Sequence, residues 1–333
     1  MKKSSYILLL LLFSVSTFAQ EKQNLPKTDW NGYTQLRVSS NFDDNTSFML
    51  RRMKLWIKST PEFSEHWSYK IQATITSLLQ EKFFFQDAKI TYKTGLFSFD
   101  FGQFIPAYSL QWSQPDWKIP TIERALAING ITPNGTLGVR DIGSQANFHS
   151  KNNLLQTSLG VFNGYGIKEY QFNNKGYMLT HKTALNFKIN EQKIQIGYSL
   201  QYRNADNLQI KHVLPDSILF TGNDFRYNVF AMYKYKFISF QAEYLNANLE
   251  NKISDGYYFL TAINIKKKNQ IVLSYEKYND LIEETNNNPY VHLGYNFLFN
   301  KQKLMLFFDN FFQLTNEGID NYMASLQLQI FFK

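Results

Sequence analysis

Between Trp67 and Thr76 the side chains alternate without a break, with Trp67, Tyr69, Ile71, Ala73 and Ile75 on one face and Ser68, Lys70, Gln72, Thr74 and Thr76 on the other. A strict period of two places each set on its own side of a strand. Soluble strands centre on about five or six residues, whereas a tilted strand crossing a bilayer needs about ten. Alternation of this kind recurs along the chain, and helical periodicity is hard to find. It predicts strands at 33–38, 48–58, 67–76, 85–93, 96–103, 137–148, 154–162, 178–187, 194–203, 226–235, 238–246, 257–265, 270–278, 290–299, 304–312 and 322–332, sixteen in all.

The connections between these strands sort by length. Even-numbered ones are short, such as Thr94-Gly95 and Lys236-Phe237, and odd-numbered ones are mostly longer, such as 163–177 and 204–225. Short periplasmic turns alternating with longer outside loops are the pattern of an outer-membrane barrel. The expected fold is therefore all-β: a transmembrane antiparallel up-and-down β-barrel of about sixteen strands. Hydrocarbon offers no partner for an unpaired strand edge, so the first and last strands have to pair. The last one fits, with Ala324, Leu326, Leu328, Ile330 and Phe332 against Ser325, Gln327 and Gln329.

The longest connection is the third. It leaves a strand at Gly102-Gln103-Phe104-Ile105-Pro106 and shows no regular pattern of its own before alternation resumes near Leu137. Loops of this length are usually functional. In a barrel this one, near 104–136, has a lumen to fold into and narrow.

Residues 1–19 read as a cleaved leader, with Lys2 and Lys3, an apolar run from Ile7 to Phe13, and Thr17-Phe18-Ala19 before Gln20. Residues 20–28 would be a short periplasmic segment and 29–333 the barrel. The apolar run is too short to span a bilayer. With no cysteine there is neither a lipid-modified leader nor a disulfide, and the 30 Phe and 21 Tyr suit lipid-facing stripes and interfacial girdles. Without the two lysines of the leader the formal charge falls from +8 to +6, a mild excess that permits an anion preference.

Parity assigns the charges. Arg52, Lys54 and Lys58 oppose Met53, Leu55 and Ile57, and a charge facing lipid at midplane costs about 2–4 kcal/mol, so they are expected in the lumen. Arg51 shares the apolar parity and is expected near the outer rim. Arg37, Lys70 and Arg226 join the inward set, alongside carboxylates such as Asp87 and Glu243. In the long loop, Lys118, Arg124 and Arg140 are the basic candidates, and Asp116, Glu123 and Asp141 their partners. Trp112 and Trp117 would pack that loop against the wall or offer a stacking surface to a solute. The histidines lie in no metal-ligand spacing, there is no glycine-rich phosphate loop, and Ser199 and His181 point to opposite faces. No enzyme, cofactor, metal or nucleic-acid reading is supported.

Several runs in order carry a resemblance. FMLRRMKLWIKSTPEFSEHWSYKIQATI (48–75), FQDAKITY (85–92), GQFIPAYSLQ (102–111), TIERAL (121–126), LGVRDIG (137–143), LGVFNGYG (159–166) and SYEKYND (274–280) resemble the phosphate-selective porin O and P family. The resemblance implies a sixteen-stranded outer-membrane homotrimer whose third loop folds inward, passing small anionic solutes by diffusion. One departure stands out: the family's phosphate-selective members line the pore with many arginines, and this chain has seven. The expected function is passive diffusion of small hydrophilic, anionic solutes through a Gram-negative outer membrane. Arg37, Arg52, Lys54, Lys58, Lys70, Lys118, Arg124, Arg140 and Arg226 would line the pore, and Trp112, Trp117 and Glu123 would build the constriction. The alternative is a plugged or narrow barrel of the same shape serving as a surface-binding or structural protein.

Overall fold

The computed structural model describes residues 27–43, 45–76, 82–133, 139–167, 176–210, 213–215, 217–281 and 287–332. The expected leader, residues 20–26 of the segment after it, Leu137 and His212 lie outside these. Sixteen strands among the described residues close into one antiparallel barrel. They are β1 (Lys27–Ser40), β2 (Thr46–Thr60), β3 (Trp67–Thr76), β4 (Lys82–Thr94), β5 (Phe97–Phe104), β6 (Asp141–His149), β7 (Leu155–Phe162) and β8 (Met178–Ile189). The second half is β9 (Gln192–Gln209), β10 (Leu219–Tyr235), β11 (Ile238–Leu249), β12 (Lys252–Ile265), β13 (Asn269–Asn279), β14 (Tyr290–Gln302), β15 (Leu304–Thr315) and β16 (Gly318–Phe331). Every strand pairs with its sequence neighbours, and the seam is β1 against β16, from Tyr33 opposite Phe331 to Ser40 opposite Ala324.

The seam shows why alternation dictates closure. Outward, Leu36, Leu326 and Ile330 are exposed, as lipid-facing side chains should be. Inward, Gln35 Nε2 donates to Gln329 Oε1 at 2.7 Å, Arg37 Nε donates to Gln327 Oε1 at 2.9 Å, and Ser39 and Ser325 share a hydrogen bond of 2.7 Å. A polar ladder on the wet side and an aliphatic face on the other hold one register, because a slip of one residue would exchange them.

Five register shifts interrupt the pairing among the described residues, and two of them, on β2 and β4, bear on the charged lumen wall. Between Gln35 and Leu36 the facing residues step from Arg52 to Leu50, so Arg51 is the extra residue. Between Gln72 and Ala73 they step from Asp87 to Phe85, and Gln86 is extra. A bulge lets two consecutive side chains face one side. It turns Arg51 as well as Arg52 into the lumen, which corrects the expectation that Arg51 sits on the lipid-facing side near the rim. The physical reason is the local extra residue, which a parity count over the whole strand cannot register.

The third connection runs from the end of β5 to the start of β6, and the strand after it begins at Asp141. It has structure of its own, contrary to expectation. α1 (Leu110–Ser113) is one turn, Asp116–Lys118 a 3₁₀ turn, and α2 (Leu126–Ile131) a helix of six residues. Three such short pieces leave too few residues for a helical period to register in the sequence. Gly102, in β5 two residues before the strand ends, has φ 109°, and a Cβ there would lie 2.2 Å from the Ala88 carbonyl oxygen. Gly130 in α2 is as tightly placed, with a Cβ falling 2.4 Å from the Tyr278 hydroxyl. Gly130→Val should therefore push α2 off the wall while leaving the barrel intact. Trypsin should then cut at Arg124 in detergent-folded protein that keeps its heat-modifiable gel mobility; resistance equal to wild type would contradict this packing.

Candidate functional site: a charged loop across the lumen

The third loop reaches strands on opposite sides of the closed barrel, so it crosses the interior. On the near side it meets β1 and β2. Arg52 Nη1 lies 2.8 Å from Asp116 Oδ2, and Lys54 pairs with the same carboxylate. Arg124, from the loop itself, takes the other oxygen of Asp116. Glu123 receives Arg51 in a two-pronged contact of 2.5 and 2.6 Å, with Arg37 Nη1 at 2.8 Å and Arg52 Nη2 at 3.4 Å. Arg37 also donates to the Ile122 carbonyl at 3.1 Å. Five cations thus surround two carboxylates, an excess of three positive charges. Guanidinium forks match carboxylates in this bidentate way, and the β2 bulge supplies the adjacent pair.

On the far side α2 enters an apolar pocket formed by Leu245, Ala247, Tyr258, Leu260, Ala262, Val272 and Tyr278 on β11 to β13. Gly256 makes room: a Cβ there would fall 2.6 Å from Ala127 Cβ. The Leu126 amide donates to Glu276 Oε2 at 2.6 Å. Glu276 in turn faces His292 Nε2 at 3.1 Å, and His292 Nδ1 faces Asp309 at 3.0 Å. At the other end of α2, Arg226 donates to the Ile131 carbonyl at 2.7 Å and pairs with Asp224, which Arg203 shares. Arg203 also donates to the Gly164 carbonyl at 2.5 Å, and the Gly164 amide donates to Asp141 at 2.9 Å.

The middle of the loop is pinned by Glu243 of β11. It accepts from the Leu110 amide at 2.8 Å, the Gln111 amide at 2.7 Å, Tyr258 at 2.8 Å and Asn228 at 2.8 Å. Trp112 is buried, donates from Nε1 to the Ile128 carbonyl at 2.9 Å, and carries the Arg124 guanidinium 4.2 Å above its ring. Trp117 packs edge-on against Phe331 at 5.1 Å. Both tryptophans brace the loop, Trp112 from within it and Trp117 against the wall.

The structure therefore separates the sequence-expected residues. Arg37, Arg52, Lys54, Glu123 and Arg124 come together at the near wall. Arg140 Nε sits 2.9 Å from Asp87, which Lys70 also contacts. Arg226 lies far from that group, under the C-terminal end of α2. Lys58 and Lys118 line a cavity of about 380 Å³ beneath the loop, with Lys54, Lys70 and Asp116. Arg51, Arg203, Asp224, Glu243, Glu276 and His292 were not singled out as site residues. Arg203 was within reach of parity, since Ser199, Gln201 and Arg203 oppose Tyr198, Leu200 and Tyr202.

With the geometry in place, comparison with known proteins is direct. The family model described as phosphate-selective porin O and P matches residues 27–275. The chain belongs to the phosphate-selective porin O and P family. As a member of that family it is an outer-membrane porin. Among solved structures, OprB of Pseudomonas putida superimposes with a TM-score of 0.67 at 11% identity, covering 92% of this chain and 94% of that one. An anion-selective porin from Comamonas acidovorans gives 0.63 at 10%, covering 92% and 100%. OmpT of Vibrio cholerae, in a trimer form, gives 0.64 at 11%, covering 92% and 99%. At these identities the likeness is one of fold. A search of curated proteins returns no match. The family motifs quoted above fall where the porin's third loop is held: Asp87 in FQDAKITY, Ser109 and Gln111 in GQFIPAYSLQ, Glu123 and Arg124 in TIERAL, Arg140 and Asp141 in LGVRDIG.

Burial opposes the ionisation of Asp116, and Arg124, Lys54 and Arg52 outweigh it, holding its carboxyl well below the usual range. For Glu123 burial again acts first, and Arg51, Arg37 and Arg52 overcome it. Asp116 is 10% exposed and Glu123 31%, so the Asp116 pairs are the less screened and the stronger anchor. A lowered carboxylate pKa contributes stability above the ordinary value and loses it only as pH falls through the lowered one. These two carboxylates should thus stay ionised, and their hold on the loop should persist, from about pH 8 to about pH 5. A loop-release transition inside that window would contradict this anchoring. Asp116→Asn removes the carboxylate that Arg52, Lys54 and Arg124 share, at a cost of roughly 3–5 kcal/mol to loop docking. Proteolysis at Lys118 in the folded variant would report the release.

Proposed function

We propose that this porin passes small anionic solutes by diffusion along the third loop, as a homotrimer. The observation that carries the reading is the excess of three positive charges where the loop meets β1 and β2, just above a cavity lined by Lys58, Lys70 and Lys118. An anion approaching that wall is attracted, and its lost water is replaced by N–H donors. Asp116 and Glu123 leave the site basic but not saturated with arginine. This favours anions in general over tight retention of phosphate. The family and the Comamonas acidovorans neighbour support the anionic class, and the trimer form of the Vibrio cholerae neighbour supports the assembly.

A specific observation favours a second reading, in which the loop closes the barrel at rest. Each of the sixteen strands contributes at least one inward side chain that is buried, from Arg52 and Gln86 around to Tyr258, Asp309 and Gln327. In that case opening requires α2 to leave its pocket.

Reversal potentials in planar bilayers under a salt gradient test the proposal. The wild type should be anion-selective, and Arg52→Gln with Lys54→Gln should cut the anion-to-cation permeability ratio several-fold, with the loop still held by Arg51 and Arg37. Cation selectivity in the wild type, or an unchanged ratio in the double variant, would refute the assignment. Absence of any conductance would favour the closed barrel.

A further inference from the structure

The two rims of the barrel carry opposite charge. Counting residues in or within two positions of each connection, the seven short turns at the end holding the termini have eleven lysines and three acids. At the other end, with the third loop set aside, the connections have ten acids and five lysines. Neither rim has an arginine. The short-turn end of such a barrel faces the periplasm.

The lysines are distributed around the wall. Every turn from β4–β5 to β14–β15 carries at least one, and only the β2–β3 turn has acids alone, Glu62 and Glu65. Lys236, Lys266, Lys267, Lys268, Lys301 and Lys303 are exposed, and among the described residues none of them has an ion-pair partner. They stand just beyond exposed outward-facing apolar side chains, including Phe237, Ile265 and Phe299. Rings and branched chains at that level mark the boundary of the hydrocarbon, so the ammonium groups lie among the headgroups.

The backbone supplies a second, independent observation. Lys236, Lys266 and Lys301 adopt φ of 46°, 60° and 49°. This left-handed region suits glycine or asparagine and is costly for a long side chain. Asn153 and Asn190 fill the corresponding places in two other turns of the same rim, at 56° and 54°. Three turns therefore hold lysine where the backbone favours a different residue. That is the pattern of a position occupied for its charge.

We infer that the periplasmic rim from the β4–β5 turn to the β14–β15 turn binds the phosphates of anionic phospholipids in the inner leaflet, fixing the barrel's depth and orientation. A lysine ammonium is a compact charge suited to a phosphodiester that can approach from several directions, and each one near an anionic surface adds a modest, additive attraction. The acidic β2–β3 turn leaves a gap in the ring, so the lipid annulus is uneven. The outer rim, being acidic, repels the same lipids, which makes the inverted orientation unfavourable.

The test uses full-length protein reconstituted in phosphatidylcholine vesicles containing a trace of spin-labelled phosphatidylglycerol or spin-labelled phosphatidylcholine. The wild type should hold the anionic label roughly threefold more strongly, and the ratio should fall toward one as salt rises from about 0.1 M to about 1 M. Replacing all eleven rim lysines with Gln should abolish the preference, and replacing them with Arg should retain it. Lys236→Asn with Lys266→Asn and Lys301→Asn should raise thermal stability while lowering the preference, two readouts that a purely structural role would move together. Equal retention of both labels by the wild type, a preference that survives the Gln variant, or joint loss of stability and preference in the Asn variant would overturn the inference. So would displacement of the anionic label by inorganic phosphate beyond that by chloride at equal ionic strength, which would make the rim a site for solution anions.

Discussion

Hydrocarbon cannot hydrogen-bond a peptide group, and the architecture follows from that. Each strand must pair on both sides, so the sheet closes, and each closed strand must put an apolar face outward. That leaves the inward face free for polar groups at no cost to membrane insertion. The polar ladder at the β1–β16 seam and the cation cluster on β1 and β2 are both consequences of this freedom. The charges at the near wall are affordable because lipid never sees them.

A closed wall also determines how the third loop can be held. It has no sheet edge to join, so its backbone groups need side-chain partners. Glu243 accepts the amides at the start of α1, Glu276 that of Leu126, and Arg226 donates to the end of α2. A buried carboxylate accepting backbone amides does for the loop what a ladder does for a strand. The two anchors differ in kind: ion pairs on β1 and β2, apolar packing on β11 to β13. Ion pairs fix where the charge lies, whereas α2 is held by burial of Ala127, Ile128 and Ile131 together with hydrogen bonds to Glu276 and from Arg226.

Most of the barrel was legible in the sequence because a period of two survives for ten residues at a time. All sixteen strands were anticipated, with ends displaced where strands project beyond the membrane, as in β9 and β10. The bulges were not legible, because one extra residue reverses parity and looks like noise. The adjacent Arg51 and Arg52 were the visible trace of one. At the site, parity turns Arg52 and Lys54 inward and residue type singles out Glu123 and Arg124, but the convergence of the cations on Asp116 and Glu123 depends on loop geometry that no local pattern encodes. Parity turns Arg226 inward, where it is buried, but its contact beneath α2 depends on where that helix ends.

The most direct test of the account is whether the third loop spans the lumen with α2 against β12. The chain has no cysteine, so Ala127→Cys with Gly256→Cys introduces the only pair. A Cβ at position 256 would lie 2.6 Å from Ala127 Cβ and 2.8 Å from the Lys277 carbonyl oxygen, so a small adjustment of β12 together with a small shift of α2 brings the pair to the spacing of a disulfide. Oxidation of membrane-inserted protein should yield an intramolecular bridge, seen as a reductant-sensitive gel shift, with the reversal potential unaltered. Failure to bridge in a barrel that is otherwise folded would contradict the account.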